Sequence, residues 1–329
     1  MKPISRGCPL LQVRRLSIGV SRGRRYLLGV DALGFQVQSG EIVGILGESG
    51  CGKTLTALSL LGLLPLGVHI TEGSILFDQR ELRSLSEREF CALRGQEISM
   101  VFQEPMSSLN PLLTIGRQIA EPLYLHGWKN KGFIRREVLD LMTRLGLPEP
   151  EKLACAYPHQ LSGGMRQRVL LALAMVCKPK LLIADEATTA LDLSTQSQIL
   201  QLLRGINQDL GTSILVISHD LGVIRRLCDR VLVMYAGKLV EAGAAAAVFT
   251  DPRHEYTRGL MYSVPQQEQK GKPLLSIPGR VPSIEEEKPG CPFAPRCPRV
   301  LGSCMVQFPE AVRLQGDHEV CCIREAGHE

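Results

Sequence analysis

Between residues 10 and 47, short apolar runs alternate with turn residues: LLQVRRLSIGV, ALGFQVQ, Ser39-Gly40, then EIVGILG. This pattern predicts strand, strand, turn, strand. After Gly47 a glycine-rich loop runs into LTALSLLGLL, whose spacing is helical, and the uncharged stretch Leu55 to Ile70 is expected to be one buried helix, too short to span a membrane. Residues 112–177 are mostly helical in period, as in IGRQIAEPLYLHG and FIRREVLDLMTRLGL, and a long helix is expected after Ser162. Alternation then returns: LLIAD as a buried strand, a helix from Ser194 to Leu210, SILVIS as a second buried strand, a short helix, and VLVMYAGKLVE as a hairpin turning at Ala236-Gly237. Strands interleaved with helices imply an α/β fold with a mainly parallel sheet, carrying an antiparallel β subdomain at its start and a helical insert over about 105–177.

Past Pro252 the text becomes rich in Pro, Gly and charge (QQEQKGKP, EEEKPG) and leads into a cysteine cluster. The expected division is a main domain over 1–250 and a small Cys-rich C-terminal extension over 251–329. The chain has 329 residues, of which 44% are hydrophobic and 22% charged, and this excludes disordered, collagenous and disulfide-stapled classes. A net charge of +5 is too diffuse to require a nucleic-acid partner. Residues 1–25 nonetheless hold seven basic residues and no acid, which reads as a solvated strand edge or as a patch facing anionic lipid or a partner. MKPISRGCPLLQVRRL lacks an apolar core long enough for a secretory signal, so the mature protein is expected to begin here.

Gly47-Glu48-Ser49-Gly50-Cys51-Gly52-Lys53-Thr54 fits G-x-x-x-x-G-K-[ST] in the strand-to-helix context that the motif needs. Its glycines let backbone N–H groups converge on a β-phosphate, Lys53 brings a point charge to the β- and γ-phosphates, and Thr54 offers a hydroxyl to Mg²⁺. Leu181 to Ala184 form an apolar strand ending in Asp185 and Glu186. These acids read either as helix N-caps or, with Lys53 upstream, as a magnesium ligand (Asp185) and a residue that orients or deprotonates a water (Glu186). In Leu161-Ser162-Gly163-Gly164-Met165-Arg166-Gln167-Arg168, Ser162 is an N-cap, or Ser162, Gly163 and Gly164 together form a second anion nest at a helix start.

LSGG followed by a basic helix, 23 residues before the strand acid, resembles the signature motif of ABC transporter ATPases. Other landmarks of that family fall in order: Gln103 in VFQEP resembles the Q-loop, Ala190-Leu191-Asp192 the D-loop, and His219 in SHD the switch histidine. The segments QEPMSSLNPLLTIGRQIAEPL and IPGRVPS…GCPFAPRCP narrow the resemblance to the dipeptide/oligopeptide (and nickel) permease ATPases, over nearly the whole chain. The resemblance implies a P-loop NTPase fold and an ATPase that energises import of peptides, or of nickel or another small solute. It implies two separate transmembrane permease subunits, an extracytoplasmic solute-binding protein, a second ABC ATPase subunit that is usually a related chain, and a place at the cytoplasmic face of the cell (inner) membrane.

By the same resemblance Lys53, Thr54, Gln103, Asp185, Glu186 and His219 serve the ATP held in cis. Thr54, Gln103 and Asp185 attend magnesium, Glu186, His219 and Gln103 serve catalysis, and Ser162 to Gly164 contact the partner's nucleotide. One departure is that the family's adenine-stacking aromatic is replaced by Ile18, Gly19 and Val20, with Tyr26 the only aromatic near. Competing readings are a soluble ABC ATPase acting on nucleic acid or ribosomes, which would be expected to carry two such units or a coiled-coil insert, and a P-loop kinase, which gives no reason for the LSGGM text.

Six of the eleven cysteines are scattered singly, whereas Cys291, Cys297, Cys304, Cys321 and Cys322 fall in the last 39 residues. The spacing Cys291-x5-Cys297-x6-Cys304, then sixteen residues to Cys321-Cys322, lacks the short pairs of zinc sites and suits an iron–sulfur cube. Zinc and unliganded thiols are the alternatives. Some members of the family carry a [4Fe-4S] cluster, and the family tail H-x-V-x-C nominates Cys322, in His318-x-Val320-x-Cys322, over Cys321 as fourth ligand. Such a cluster is expected to be structural and distant from the phosphates, so that Cys297→Ser leaves ATP affinity unaltered.

Overall fold

A computed structural model of the chain describes residues 8–23, 25–102, 108–187, 192–263, 277–286 and 289–326. Its strands are β1 (Leu11–Arg22), β2 (Arg25–Val37), β3 (Ile42–Leu46), β4 (Val68–Phe77), β5 (Arg80–Glu81), β6 (Ile98–Val101), β7 (Leu181–Asp185), β8 (Ser213–Ser218), β9 (Arg230–Tyr235), β10 (Lys238–Ala244), β11 (Val312–Arg313) and β12 (Glu319–Val320). The α-helices are α1 (Lys53–Leu60), α2 (Glu87–Leu93), α3 (Ile115–Leu125), α4 (Lys131–Arg144), α5 (Pro150–Ala154), α6 (Gly163–Met175), α7 (Leu193–Leu210), α8 (Leu221–Leu227), α9 (Ala245–Thr250) and α10 (Glu255–Tyr262). The chain divides into two compact units, one holding residues 1–6, 38–41 and 84–216, the other 7–37, 42–83 and 217–329.

In the first of these units β6 and β7 pair in parallel, Ile98 opposite Leu181 and Val101 opposite Ala184. β7 is buried along its whole length, as a strand covered on both faces must be. The expected helical insert is present between β6 and β7: α3, α4, α5 and α6 pack on one another, and α6 also packs on β6. α4 shows why these segments are helices. Asn130 caps it by accepting from the Phe133 N–H at 3.0 Å, and Ile134, Val138 and Met142, four residues apart, form its buried stripe. α7 is built alike, with Asp192 as cap, Ile199, Leu200, Leu203 and Ile206 buried, and Gly211 ending it at φ 69°.

The second unit holds an antiparallel sheet in the order β2-β1-β4-β5. It also contains β3 paired in parallel with β9, and β9 turning at Ala236-Gly237 into β10 as expected. The last strands of the chain extend this array, since β12 pairs antiparallel with β10 and β11 with β12. The single helix expected over Leu55 to Ile70 is corrected. α1 stops at Leu60, Gly62 and Gly67 take left-handed φ values of 63° and 81°, and β4 starts at Val68. The turn chemistry of Gly62, Pro65 and Gly67 overrides the apolar run, and Leu66 stands fully exposed.

Candidate nucleotide site

In the second unit the phosphate loop follows β3, whose five residues are all buried. Two of its glycines are required by close approach. A Cβ on Gly47 would lie 2.3 Å from the Met234 carbonyl oxygen, and one on Gly52, itself at φ 100°, would lie 2.6 Å from that of Gly29. α1 begins directly after Gly52, so its unpaired N–H groups face the loop, and Thr54 is exposed at that end. The Lys53 ammonium is buried and donates to the carbonyls of Gly47 (2.8 Å) and Glu48 (2.9 Å), bridging the loop from within. Beside it the buried Cys51 thiol is pushed above its ordinary value by desolvation, which keeps it protonated and neutral. Ser49 and Gly50 are exposed at the tip. His219, in the same unit, is exposed just past β8, and Asp220 caps α8 by accepting from the Gly222 N–H at 2.7 Å.

In the first unit Asp185 is the last residue of β7 and is buried, a costly place for a carboxylate. Glu186 follows with φ 47°, left-handed backbone rare outside glycine and stored where surrounding structure over-determines it. Ser162 caps α6 by accepting from the Met165 N–H at 3.3 Å, the N-cap of the first sequence reading, and Ser162 and Gly163 are exposed. A Cβ on Gly164 would stand 2.9 Å from the Thr195 methyl. The Thr195 hydroxyl donates to Asp192 at 2.7 Å, so the starts of α6 and α7 lie side by side. Hydroxyl and N–H donors of Ser194 and Thr195 hold the Asp192 carboxyl well below the usual range. Gln103, Ala190 and Leu191 lie outside the described residues.

The five clustered cysteines line one cavity, closed in part by His254, Phe293 and Pro309. The loop 289–297 is tied to the segment that follows it by the Cys291 N–H donating to the Cys304 carbonyl at 2.8 Å. Burial pushes the Cys291 thiol up to about 11, and the neighbouring thiols of Cys304, Cys297 and Cys322 push the same way. Cys321 is turned toward β10, its N–H donating to the Val240 carbonyl at 2.8 Å. Among the described residues no three His, Cys, Asp or Glu side chains close on a single-ion point.

The tail is not remote from the phosphate loop, contrary to expectation. Arg296, next to Cys297, pairs with the Glu48 carboxylate at 2.9 Å, and the Tyr256 hydroxyl accepts from the Glu48 N–H at 2.9 Å. Buried Glu241 on β10 accepts from the N–H groups of Arg253 (2.8 Å) and His254 (3.0 Å) and from His318 Nε2 at 2.7 Å. His254, held neutral because burial lowers it to about 4, accepts from the Tyr256 N–H through Nδ1 at 3.1 Å. Sequence reasoning missed Arg296, Tyr256 and Glu241. Their partners lie far along the chain, Glu48 being 248 positions from Arg296, so no local signal marks them.

Residues 30–189 match the ABC transporter family, and residues 240–304 match the C-terminal region of oligopeptide/dipeptide transporters. The chain is 44% identical over 314 residues to the oligopeptide transport ATP-binding protein AppD of Bacillus subtilis, covering 95% of this chain and 96% of that one. It is 45% identical over 295 residues to OppD of Salmonella typhimurium, covering 90% of this chain and 88% of the relative. Among solved structures, the post-hydrolysis dimer of the ATP-binding cassette MJ0796 with ADP and Pi superposes with TM-score 0.64 at 28% identity, over 71% of this chain and 98% of that one. CbiO1 of Clostridium perfringens gives TM-score 0.65 at 28% identity, over 74% of this chain and 91% of that one. The chain belongs to the ATP-binding subunits of ABC transporters, in the oligopeptide/dipeptide group, and is a transport ATPase of that family.

Proposed function

We propose that the chain couples ATP hydrolysis to import of di- and oligopeptides through separate membrane subunits. The carrying observation is the match of residues 240–304 to the oligopeptide/dipeptide C-terminal region, combined with relatives that are peptide-transport ATP-binding proteins over nearly their whole length. Among the described residues no helix is long and apolar enough to cross a membrane, so permeation falls to two partner permease subunits, with a solute-binding protein supplying the peptide. The site of action is then the cytoplasmic face of the cell membrane. A stoichiometric pull-down tests this: two hydrophobic permeases and a peptide-loaded binding protein support it, and capture of nucleic acid or ribosomes overturns it.

In this reading residues 1–250 are the ATPase domain and 251–329 its extension. Gly47 to Thr54 hold the phosphates, with Lys53 released from the Gly47 and Glu48 carbonyls to the β- and γ-phosphates. Bound Mg²⁺ would be held by Thr54, Gln103 and Asp185 and would neutralise phosphate charge. Glu186 orients or deprotonates the attacking water, aided by Gln103 and His219. Ser162, Gly163 and Gly164 present the α6 start to the nucleotide of a second, related ATPase subunit paired head to tail.

The extension holds a [4Fe-4S] cluster on Cys291, Cys297, Cys304 and Cys322. Support comes from the convergence of these thiols on one cavity and from their spacing along the chain. The H-x-V-x-C tail of the family, matched by His318, Val320 and Cys322, favours Cys322 over Cys321 as fourth ligand. The cluster would cross-link a segment of little core, and its thiols would lose their protons on ligation.

A further inference from the structure

Glu48 stands in a loop shaped to receive anions, yet it carries a carboxylate. Every polar group of this residue is occupied. Its N–H donates to Tyr256 Oη, its carbonyl accepts from Lys53 Nζ at 2.9 Å and from the Cys51 N–H at 3.3 Å, and its carboxylate takes both terminal nitrogens of Arg296 at 2.9 and 3.4 Å. Arg296 is equally committed. Its side chain is only 5% exposed, and its five N–H groups reach five acceptors: the two Glu48 oxygens, Tyr235 Oη (3.1 Å) and the carbonyls of Pro278 (2.8 Å) and Ile277 (3.2 Å). The guanidinium also lies 5.8 and 6.0 Å from the ring centroids of Tyr235 and Phe293, which fix its plane.

We propose that Arg296 is a positioning residue of the phosphate loop: by neutralising and anchoring the Glu48 carboxylate, it lets the C-terminal extension set how tightly the loop takes an anionic nucleotide. The inference rests on the phosphate-loop reading of residues 47–54. The fork is pre-organised by neutral acceptors and aromatic faces before any nucleotide arrives, so no reorganisation of Arg296 is required on binding. Without the guanidinium, a carboxylate two-thirds withdrawn from solvent would stand uncompensated beside the incoming phosphates. Arg296 closes the short helical turn Ala294–Arg296, and the Cys297 N–H donates to the Ala294 carbonyl at 3.2 Å, so the cysteine segment and the loop anchor are one piece of chain.

The test is equilibrium binding of ATP to the purified full chain in EDTA, so that hydrolysis is absent, at low and high salt. Arg296→Gln is expected to weaken binding on the order of tenfold at low salt and by less at high salt, because a repulsion between charges is screened. Adding Glu48→Gln to Arg296→Gln is expected to restore most of the affinity. A purely structural staple would show neither the salt dependence nor the rescue. If Arg296→Gln does not fold by circular dichroism, Arg296→Lys carries the test, with a smaller loss that Glu48→Gln again recovers. Wild-type affinity in the folded Arg296 variant, or a loss that Glu48→Gln fails to repair, overturns the proposal. Lys53→Ala separates the premises: if it binds ATP as the wild type does, the phosphate-loop reading itself falls, and the inference with it.

Discussion

Replacing Glu241 by alanine should release the C-terminal strands while leaving the rest of the chain folded. The carboxylate is buried and serves three donors: two backbone N–H groups at the start of α10 and His318 Nε2 just before β12. Each hydrogen bond to a charged group contributes about 1.5–3 kcal/mol, but the three share one acceptor group and do not add. Removing one partner of a buried charged network costs about 3–5 kcal/mol, since the abandoned donors stay dry, and this is the figure we adopt. At about 1.4 kcal/mol per factor of ten, that loss corresponds to roughly a 10²- to 4 × 10³-fold fall in the protection of local amides. Hydrogen exchange read by mass spectrometry should show it at the Cys321 and Leu314 amides, which donate to Val240 and His318. The β6–β7 peptides should exchange as in wild type. Glu241→Gln, which keeps one acceptor oxygen, should fall between. Unchanged protection at Cys321 in the alanine variant, or an equal loss in β7, would refute the local-network reasoning.

Three further outcomes follow from the site. Glu186→Gln should retain ATP binding and lose on the order of 10²–10⁴ in single-turnover hydrolysis, measured by quench flow, the range expected for loss of a general base. Ser162→Arg should leave ATP affinity of the isolated subunit nearly unchanged but abolish the nucleotide-dependent dimer in size-exclusion chromatography; an affinity loss as deep as that of Lys53→Ala would make Ser162 a cis residue. Anaerobically purified protein should be brown and contain about four irons per chain with labile sulfide; one zinc per chain would replace the cube with a tetrahedral thiolate site.

The phosphate loop was legible because its chemistry is local: glycine at 47 and 52 is demanded by backbone contacts within 3 Å, and the strand before it is uniformly apolar. Ser162 was legible as a cap for the same reason, since its partner is three residues away. On apolar content alone Leu55 to Ile70 reads as one helix, whereas the turn residues Gly62, Pro65 and Gly67 end α1 after eight residues. Contacts between distant segments leave no periodic trace. Arg296 meets Glu48 across 248 positions, and His318 meets Glu241 across 77, so nothing in the local text around either arginine or histidine distinguishes an anchor from a solvated charge. The tail therefore read as a separate appendage, whereas β12 pairs with β10 and Arg296 reaches the phosphate loop.

Peptide uptake into proteoliposomes holding the assembled transporter is the decisive measurement, with labelled di- and oligopeptides, the solute-binding protein outside, and ATP enclosed on the side of this subunit. Uptake should require hydrolysable ATP, should cease with Lys53→Ala and with Glu186→Gln, and should be competed by unlabelled peptides but not by nickel ions. Transport of nickel with no peptide competition, or peptide uptake that persists at full rate with Lys53→Ala in this subunit, would contradict the assignment.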